Sequence, residues 1–210
     1  MTTQPGWPHG VTVVAVEGID GAGKSTLVAG LRVDLRLRQA FTAVSGMAEF
    51  SSPIGPALRD SLSQMSPVSI AYAFAAERHW LIERCDRTPG GLVIWDRYVD
   101  SAYACRSADV RAGRAPAPLL NIVREIAAKM PRPDVTLYVA ASVATASARL
   151  RRRQQLLGLP VRNDERLLHF QREAYEELWD AQTSPPRWLD GETNPDALLE
   201  QAVEAILSSR

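Results

Sequence analysis

The fold is decided by a stretch near the start of the chain, residues 11–26, which reads VTVVAVEGIDGAGKST. Its opening run, Val11 to Val16, is mostly apolar and predicts a buried β-strand. The residues that follow match the spacing G-x-x-x-x-G-K-[ST], with Lys24 and Ser25 at its end. Apolar residues then recur with helical spacing from Leu27 to Arg38. A strand, a glycine-rich loop and a helix therefore follow one another in the order of a phosphate-binding loop.

The residue types in this loop favour the binding of a nucleoside triphosphate. Glycines permit backbone conformations in which successive N–H groups point at a phosphate, and the start of the helix adds partial positive charge. Lys24 is placed to reach the outer phosphates, and Ser25 is placed to hold Mg²⁺. We therefore predict ATP and Mg²⁺ as ligands, bound by Gly18, Asp20, Gly21, Ala22, Gly23, Lys24, Ser25 and Thr26.

Short apolar segments alternate with longer amphipathic ones along the rest of the chain. This alternation predicts an α/β fold with a mostly parallel sheet that is covered by helices on both faces. Further strands are expected near Thr42–Ser45, Leu92–Trp95, Val135–Val139 and Arg187–Leu189. Further helices are expected near Pro56–Gln64, Ser69–Asp86, Leu119–Lys129, Val143–Leu157, Glu165–Ala181 and Pro195–Ser208.

The composition argues against several other classes of protein. The 210 residues include 24 basic and 24 acidic side chains, and 46% of positions are hydrophobic. Such a chain can bury a core, and no stretch approaches the roughly 18 apolar residues of a membrane span. Balanced charge argues against a nucleic-acid-binding face, and the two cysteines suggest neither a disulfide framework nor a metal site. Residues 1–10 lack the pattern of a secretory signal, so we expect a cytoplasmic protein.

A second candidate site follows the strand Leu92–Trp95, where Asp96 and Arg97 stand side by side. Ligands of open parallel sheets bind at the carboxyl ends of the strands. Asp96 is therefore expected to orient Mg²⁺ or its waters, and Arg97 to bind an oxyanion. Without the glycine loop as context, the alternative is that Asp96 and Arg97 form an ordinary ion pair on the surface.

A third candidate site is an arginine cluster in the second half of the chain. Arg149 and Arg153 are four residues apart on a predicted helix, so they share a face and can both approach a transferring phosphoryl group. The helical periodicity breaks over Gly158–Asn163, which predicts a mobile loop between two helices. A lid of this kind would exclude water and deliver positive charge to the transition state. The alternative is a solvent-exposed arginine cluster without a catalytic role. All basic residues of this chain except two lysines are arginines, so arginines can lie close together without a shared function.

The three sites, in this order, resemble those of thymidylate kinases, a family of P-loop enzymes that phosphorylate dTMP with ATP. The resemblance extends from Val11 to about Leu207. Residues 16–26 resemble the first motif of the family, Asp96-Arg97-Tyr98 followed by Ser101 resembles the second, and residues 133–139 and 148–153 resemble its fourth strand and lid.

The resemblance implies a P-loop NTPase three-layer sandwich with a five-stranded parallel sheet and a short arginine-rich lid at about residues 151–165. It implies one domain over residues 1–210, with a core from 11 to 210 and residues 1–10 as an N-terminal extension. A homodimer is also implied.

Roles for individual residues follow from the same resemblance. Lys24 and the loop amides would hold ATP, Arg97 the acceptor phosphate, and Asp20 the acceptor sugar or the neighbouring arginine. Phe74 would stack on the acceptor base, with Arg78 beside its edge. Gly21 stands where some members carry an arginine, so the catalytic charge is expected from the lid. Its candidates are Arg149 and Arg153, followed by Arg151, Arg152 and Arg162.

The departures from the family pattern fall on the acceptor side. Residues 47–53 stand where the family usually has an Arg-Glu-Pro-Gly-like segment, and only residues 52–55 match its tail. After the second motif, Ala102 and Cys105 stand where the family commonly offers an amide and a tyrosine, and Tyr103 and Arg106 are displaced from those positions. When the edge of the acceptor base lacks its hydrogen-bond partner in the protein, the site discriminates less well between bases. The predicted acceptor contacts are nevertheless Asp20, Phe74, Arg78, Arg97, Ser101, Ala102 and Cys105.

The residues described above are compatible with several functions. The leading prediction is an ATP-dependent kinase of pyrimidine nucleoside monophosphates, with dTMP as the best single acceptor and a modified pyrimidine monophosphate as a variant. A deoxynucleoside kinase is the rival enzyme, and it would need a base such as Glu17 or Asp96 near a 5′-hydroxyl. A catalytically silent nucleotide-binding module is the alternative outside enzymes.

Overall fold

The computed structural model describes residues 7, 10–157, 165–180 and 185–209 of the chain. Within these residues a parallel five-stranded sheet has the strand order β2-β3-β1-β4-β5. This confirms the predicted α/β class and the parallel sheet. The strands are β1 (Thr12–Glu17), β2 (Val44–Ala48), β3 (Leu92–Asp96), β4 (Val135–Ala140) and β5 (Arg187–Asp190).

Helices connect these strands and cover the sheet. They are α1 (Lys24–Val33), α2 (Leu35–Ala40), α3 (Gly55–Ser61), α4 (Pro67–Arg84), α5 (Val99–Arg111), α6 (Leu119–Ala128), α7 (Val143–Leu157), α8 (Glu165–Asp180) and α9 (Pro195–Leu207). A short 3₁₀ helix, Leu62–Gln64, follows α3. Among the residues described, no helix is long and apolar enough to cross a membrane.

The central strand β1 is apolar on both sides, which is what a sheet between two helical layers requires. Val14 and Val16 belong to one buried cluster, which also contains Leu31 of α1. Val13 and Ala15 belong to a second cluster on the other side, which is also formed by Leu81 of α4. Burying each of these valine and leucine side chains contributes about 1.5–3 kcal/mol, so β1 anchors the loop that follows it.

The predicted helix Leu27–Arg38 is wrong as one element, because the structure divides it into α1 and α2. Asp34 lies between them in an extended conformation, and its carboxylate accepts hydrogen bonds from the backbone N–H groups of Arg36 (2.9 Å) and Leu37 (3.3 Å). Asp34 therefore caps the start of α2. Apolar spacing continues across this break, so periodicity alone does not reveal it.

Helix α5 was not among the predicted elements. Its buried face is built largely from small residues such as Ala104 and Ala108, with Tyr103 as the large member. Small residues give a weak apolar periodicity, and helix propensity alone does not compensate for it. This helix matters for function because it starts two residues after Arg97 and carries the predicted acceptor residues Ser101, Ala102 and Cys105.

Candidate active site

The glycine loop and the Asp96-Arg97 pair meet at the carboxyl edge of the sheet. Strand β1 pairs with β3 in the register that places Val16 opposite Asp96. The backbone N–H of Arg97 donates to the carbonyl oxygen of Val16 at 3.1 Å. Arg97 itself has a φ of 71°, a left-handed conformation that is uncommon for a residue other than glycine. The chain therefore turns sharply out of β3, and this turn brings the two motifs together.

The loop after β1 has room only for glycine at two of its positions. Gly21 has a φ of 84°, and a Cβ at this residue would lie 2.3 Å from the carbonyl oxygen of Ala146. Gly18 has a φ of 148°, and a Cβ there would lie 2.8 Å from the carbonyl oxygen of Val139. The motif glycines are required because the loop passes this close to β4 and α7.

Lys24 lies folded against the loop and is only 4% exposed. Its Nζ atom donates to the carbonyl oxygens of Gly18 (2.8 Å) and Ile19 (2.7 Å). Burial and the positive charge of Arg97 lower the pKa of Lys24 to about 8, although the carboxylates of Asp20 and Asp96 act in the opposite direction. The ammonium group is therefore held at the loop by oxygen atoms, in the position from which it can bind a phosphate.

A cavity of about 470 Å³ lies over the start of α1. Residues 21–26 of the loop and helix form its floor, and the exposed side chains of Ser25 and Thr26 face it. Its walls include Arg97, Arg149 and Arg153 together with Thr193, Pro195 and Leu199. We call this space the donor cavity. Gly18 lies beneath the loop, where it is buried, rather than along the cavity wall.

A second cavity, of about 370 Å³, lies between α4, α5 and α6, and we call it the acceptor cavity. Arg97 lines both cavities and therefore marks their junction. The structure brings all of the predicted acceptor residues to the second one: Asp20, Phe74, Arg78, Arg97, Ser101, Ala102 and Cys105.

Asp20 and Arg97 form an ion pair at the junction of the two cavities. Burial raises the pKa of Asp20, but the positive charges of Arg97 and Lys24 outweigh it and hold the pKa well below its usual range. Burial likewise lowers the pKa of Arg97, but the carboxylates of Asp20 and Glu49 raise it above its usual value. Both side chains therefore stay charged at neutral pH, with Asp20 fixing the guanidinium in place.

Gln171 of α8 is a site residue that sequence reasoning missed. Its Nε2 atom donates to Asp20 Oδ2 at 3.1 Å, and its Oε1 atom accepts from the backbone N–H of Asp20 at 3.1 Å. Gln171 is 5% exposed and lies on the same helical face as Leu168, Ala174 and Tyr175. An amide on an otherwise apolar helix face is the signal that could have identified it.

The substituted segment at residues 47–53 still contributes to the acceptor cavity. Glu49 lines it, with Oε1 3.6 Å from Nη2 of Arg78. The ring of Phe50 lies 5.3 Å from the ring of Phe74 at an interplanar angle of 61°. Burial raises the pKa of Glu49, and the charges of Arg97 and Arg78 counteract it in part. The departure from the family pattern has therefore changed the chemistry of this wall without removing the wall.

The hydroxyl of Ser101 is bonded within the protein rather than directed at the cavity. It donates to the carboxylate of Glu17 and lies 2.8 Å from the hydroxyl of Tyr175. Glu17, which is 1% exposed, also accepts from Tyr175 OH (3.0 Å) and from the backbone N–H of Tyr98 (2.9 Å). Glu17 thus ties the end of β1 to the start of α5 and to α8. This arrangement does not direct Glu17 at a substrate hydroxyl, which weakens the deoxynucleoside kinase alternative.

This buried carboxyl should make the stability of the protein depend on pH. Burial, followed by the nearby Asp100, raises the pKa of Glu17 to about 7. A raised acid pKa favours the protonated folded state, so this stabilisation is complete below the unfolded pKa near 4.5 and is lost as the pH rises through 7. In Glu17→Gln, we expect the fall in unfolding free energy between pH 5 and 8 to shrink by on the order of 2–3 kcal/mol.

Urea unfolding at both pH values would measure this difference. The matched control is Glu125→Gln, because Glu125 is an exposed glutamate of α6, and it should keep the wild-type pH dependence. An unchanged pH dependence in Glu17→Gln would contradict the assignment.

The arginines of α7 differ in what they contact. Arg149 donates to the carbonyl oxygens of Ala22 (2.9 Å) and Gly191 (3.0 Å), so it ties the glycine loop to the end of β5. Arg153 lines the donor cavity beside it, as the i, i+4 spacing predicted. Arg151 pairs with Glu165 at 2.5 Å on the surface, and Arg152 is exposed. Arg162, the loop Gly158–Asn163 and residues 158–164 of the expected lid lie outside the described residues.

Two side chains fit the predicted magnesium ion. Ser25 is exposed to the donor cavity, and Asp96 Oδ1 is buried without a hydrogen-bond partner in the described part of the chain. A carboxylate oxygen without a partner beside a phosphate-binding loop suits Mg²⁺ or one of its waters. Within the same residues no group of three or more His, Cys, Asp or Glu side chains is arranged to hold a metal. That suits an ion that arrives with the nucleotide, because Mg²⁺ bound to phosphates uses only one or two protein ligands.

The strand order, the glycine loop and the flanking helices define a P-loop NTPase fold. Two solved structures share it with TM-scores of 0.70: a deoxyadenosine kinase from M. mycoides and a thymidylate kinase from Candida albicans. They are 16% and 19% identical in sequence, cover 95% and 94% of this chain, and are themselves covered over 100% and 91% of their lengths. At these identities the likeness concerns the fold alone.

Sequence comparison narrows the class further. The thymidylate kinase family model matches residues 16–201. A thymidylate kinase from Roseiflexus sp. is 31% identical over 220 residues, which covers 93% of this chain and 95% of the relative. The chain therefore belongs to the thymidylate kinase family.

Proposed function

We propose that this chain transfers the γ-phosphoryl group of ATP to dTMP and forms the diphosphate. Its family membership makes it a nucleoside monophosphate kinase. The observation that carries the proposal is the position of Arg97, whose side chain lines both the donor and the acceptor cavity. A guanidinium at this junction can bind the acceptor phosphate while the donor phosphates lie in the loop.

The donor side is organised around the loop at residues 18–26. Its backbone N–H groups and Lys24 would hold the triphosphate, and Ser25 and Asp96 are the residues that would hold Mg²⁺. Bound Mg²⁺ would supply neutralisation of the charge that develops on the phosphate oxygens. The chain itself contributes positioning and electrostatic stabilisation, which supply most of the rate in phosphoryl transfer. We therefore propose that the reaction proceeds without a covalent intermediate on the protein.

The acceptor side would bind a nucleotide from its phosphate to its base. Arg97 would bind the phosphate, and Asp20 and Gln171 would keep its guanidinium in position. Phe74, which packs against Phe50, would stack on the base, with Arg78 beside its edge. Burial raises the pKa of Cys105 to about 12, so this cavity residue is a neutral thiol at pH 7.

The two lining arginines of α7 are proposed to have different roles. Arg149 is already held by two backbone carbonyl oxygens, so it would fix the shape of the loop and of the donor site. Arg153 lines the same cavity and is our candidate for the charge delivered to the transition state. The single domain over residues 1–210, the lid at 151–165, the cytoplasmic location and the homodimer stay predictions.

These roles predict different kinetic effects for two otherwise similar substitutions. Arg153→Ala should lower kcat by roughly 10²-fold with little change in the KM for ATP, because the variant loses a positively charged hydrogen-bond donor that acts in the transition state. Arg149→Ala should mainly raise the KM for ATP and lower the melting temperature, because the loop loses its connection to Gly191. Steady-state kinetics and thermal unfolding of the two variants would measure this. A fall in kcat for Arg149→Ala together with a rise in the KM for ATP for Arg153→Ala would assign the catalytic role to Arg149 and the structural role to Arg153.

A coupled assay of ADP release tests the proposed function directly. The chain is offered ATP and Mg²⁺ with dTMP, dUMP, dCMP or a purine monophosphate, and separately with thymidine. We expect turnover with dTMP and none with thymidine. Transfer to thymidine alone would establish a nucleoside kinase instead. No turnover with any acceptor, combined with ATP binding by calorimetry, would establish a silent nucleotide-binding module.

A further inference from the structure

The first turn of α5 is capped by a side chain from a different element of the fold. Tyr98 is the N-cap residue of this helix, and its hydroxyl donates to the carbonyl oxygen of Pro131 at 2.9 Å. Its backbone N–H donates to Oε1 of Glu17, the last residue of β1, at 2.9 Å. In a capping box, the side chain at the third position of the helix accepts this bond. Glu17 therefore supplies from β1 the carboxylate that such a box takes from within the helix.

Ser101 occupies that third position in α5 and strengthens the same cap. Its hydroxyl donates to Oε2 of Glu17, and the hydroxyl of Tyr175 on α8 donates to the same oxygen at 3.0 Å. Ser101, like Glu17, is buried. A buried carboxyl group with three donors is held firmly, because a broken bond would leave a polar group unsatisfied away from water. Glu17 therefore joins the end of β1, the start of α5 and α8 at one point.

The cap also holds the turn at Arg97. The backbone N–H of Arg97 donates to Val16, and the next N–H, that of Tyr98, donates to Glu17. Two consecutive residues of β1 thus bond two consecutive residues of the turn. The left-handed conformation of Arg97, with a φ of 71°, costs free energy and persists only where the surroundings enforce it. Removing the Glu17 carboxylate would release the side of the turn that leads into α5.

The same strand carries the phosphate-binding loop, because Gly18 follows Glu17 directly. Helix α5 contributes Ala102 and Cys105 to the acceptor cavity. The cap therefore sets the distance between the donor loop and the acceptor helix. Phosphoryl transfer depends on this distance, since a misplacement of about 1 Å can cost on the order of 10²-fold in rate.

We propose that Glu17 is a positioning residue for phosphoryl transfer: by capping α5 from β1, it holds Arg97 and the acceptor helix at a fixed distance from the phosphate-binding loop. The proposal rests on the proposed function and adds a residue that acts through others. Glu17 is not among the described residues that line the donor and acceptor cavities. An effect of its substitution on turnover must therefore pass through the groups that it bonds.

The test compares wild type, Glu17→Gln and Glu17→Met. Glutamine keeps an oxygen for the N–H of Tyr98 and an amide that can donate to Ser101, so kcat/KM for dTMP should stay within about threefold of wild type. Methionine fills a similar volume without a strong acceptor, so kcat/KM for dTMP should fall by roughly 30–100-fold. The Kd for ATP, measured by calorimetry without acceptor, should change by less than about threefold, because the donors to Glu17 lie on the Arg97 turn, α5 and α8.

A loss of stability alone should not produce this pattern. The matched control is Ile206→Ala, because Ile206 is a fully buried residue of α9 whose truncation lowers the melting temperature. At a temperature at which all variants are folded by circular dichroism, this control should keep the wild-type kcat/KM. If Glu17→Met does not fold, Glu17→Asp decides the question. Its shorter side chain draws the carboxylate away from Tyr98 and should lower kcat/KM for dTMP by roughly tenfold.

A kcat/KM for dTMP within about threefold of wild type in folded Glu17→Met, or in Glu17→Asp where that variant decides, would overturn the proposal, while dTMP turnover by the wild type upheld the proposed function. Equal losses in Glu17→Gln and Glu17→Met would also overturn it, because the amide preserves the cap. A loss of ATP affinity as large as the loss of kcat/KM would assign Glu17 to the loop instead. A wild type that phosphorylates no pyrimidine monophosphate would overturn both proposals.

Discussion

Replacing Lys24 by alanine should reduce phosphoryl transfer by roughly 10³-fold or more while the chain stays folded. Lys24 is the lysine of the glycine loop, and its ammonium group is already held there by the carbonyl oxygens of Gly18 and Ile19. The alanine variant loses the group that would bind the outer phosphates. It also loses two hydrogen bonds but no longer buries a charge, so we expect a change in unfolding free energy of only about 1–3 kcal/mol.

The chain contains an ideal control for this experiment, because Lys129 is its only other lysine. Lys129 is exposed at the end of α6, so Lys129→Ala should keep wild-type turnover and ATP affinity. Initial rates, calorimetric titration with ATP and Mg²⁺, and thermal unfolding of the two variants separate catalysis from stability. Near-normal turnover in Lys24→Ala would refute the role of the loop as the phosphate-binding element.

The second large effect is expected for Arg97→Ala. The variant removes the guanidinium at the junction of the two cavities, so the KM for dTMP should rise by roughly 10²-fold with a much smaller change in the KM for ATP. It also removes the ion pair between Arg97 and Asp20, although Gln171 still donates to the carboxylate of Asp20. We therefore expect a loss of on the order of 2 kcal/mol in unfolding free energy.

Two further variants make this prediction specific. Arg97→Ala combined with Asp20→Asn should recover part of the lost stability but not the acceptor affinity, because the buried charge is gone while the phosphate ligand is still missing. Arg172→Ala removes an arginine from an exposed i, i+4 pair with Glu176 and should leave both KM values unchanged. An unchanged KM for dTMP in Arg97→Ala would remove Arg97 from the acceptor site.

Much of the site was predictable because its parts are local motifs. The loop of residues 18–26 shows its function in the spacing of its glycines and its lysine, and Asp96-Arg97 is marked by the apolar strand before it. The residues that support them were not predictable in this way. Gln171 is 151 positions from Asp20, and nothing in either segment indicates that they meet. Glu49 and Arg106 looked like departures from a pattern, and only the folded chain shows that they line the acceptor cavity.

The amino-acid sequence by itself determined the α/β class, the phosphate-binding loop and the identity of the main charged residues, because strands, turns and phosphate cradles depend on local spacing and on residue type. The tertiary structure decided what each charge faces. It placed Arg97 against Asp20, bonded Arg149 to the carbonyl oxygens of Ala22 and Gly191, and bonded Ser101 to Glu17. It also left Nη1 of Arg106 without a hydrogen-bond partner among the residues that the structure describes. Such pairings depend on burial and on distances between remote segments, so they arise only when the helices pack on the sheet.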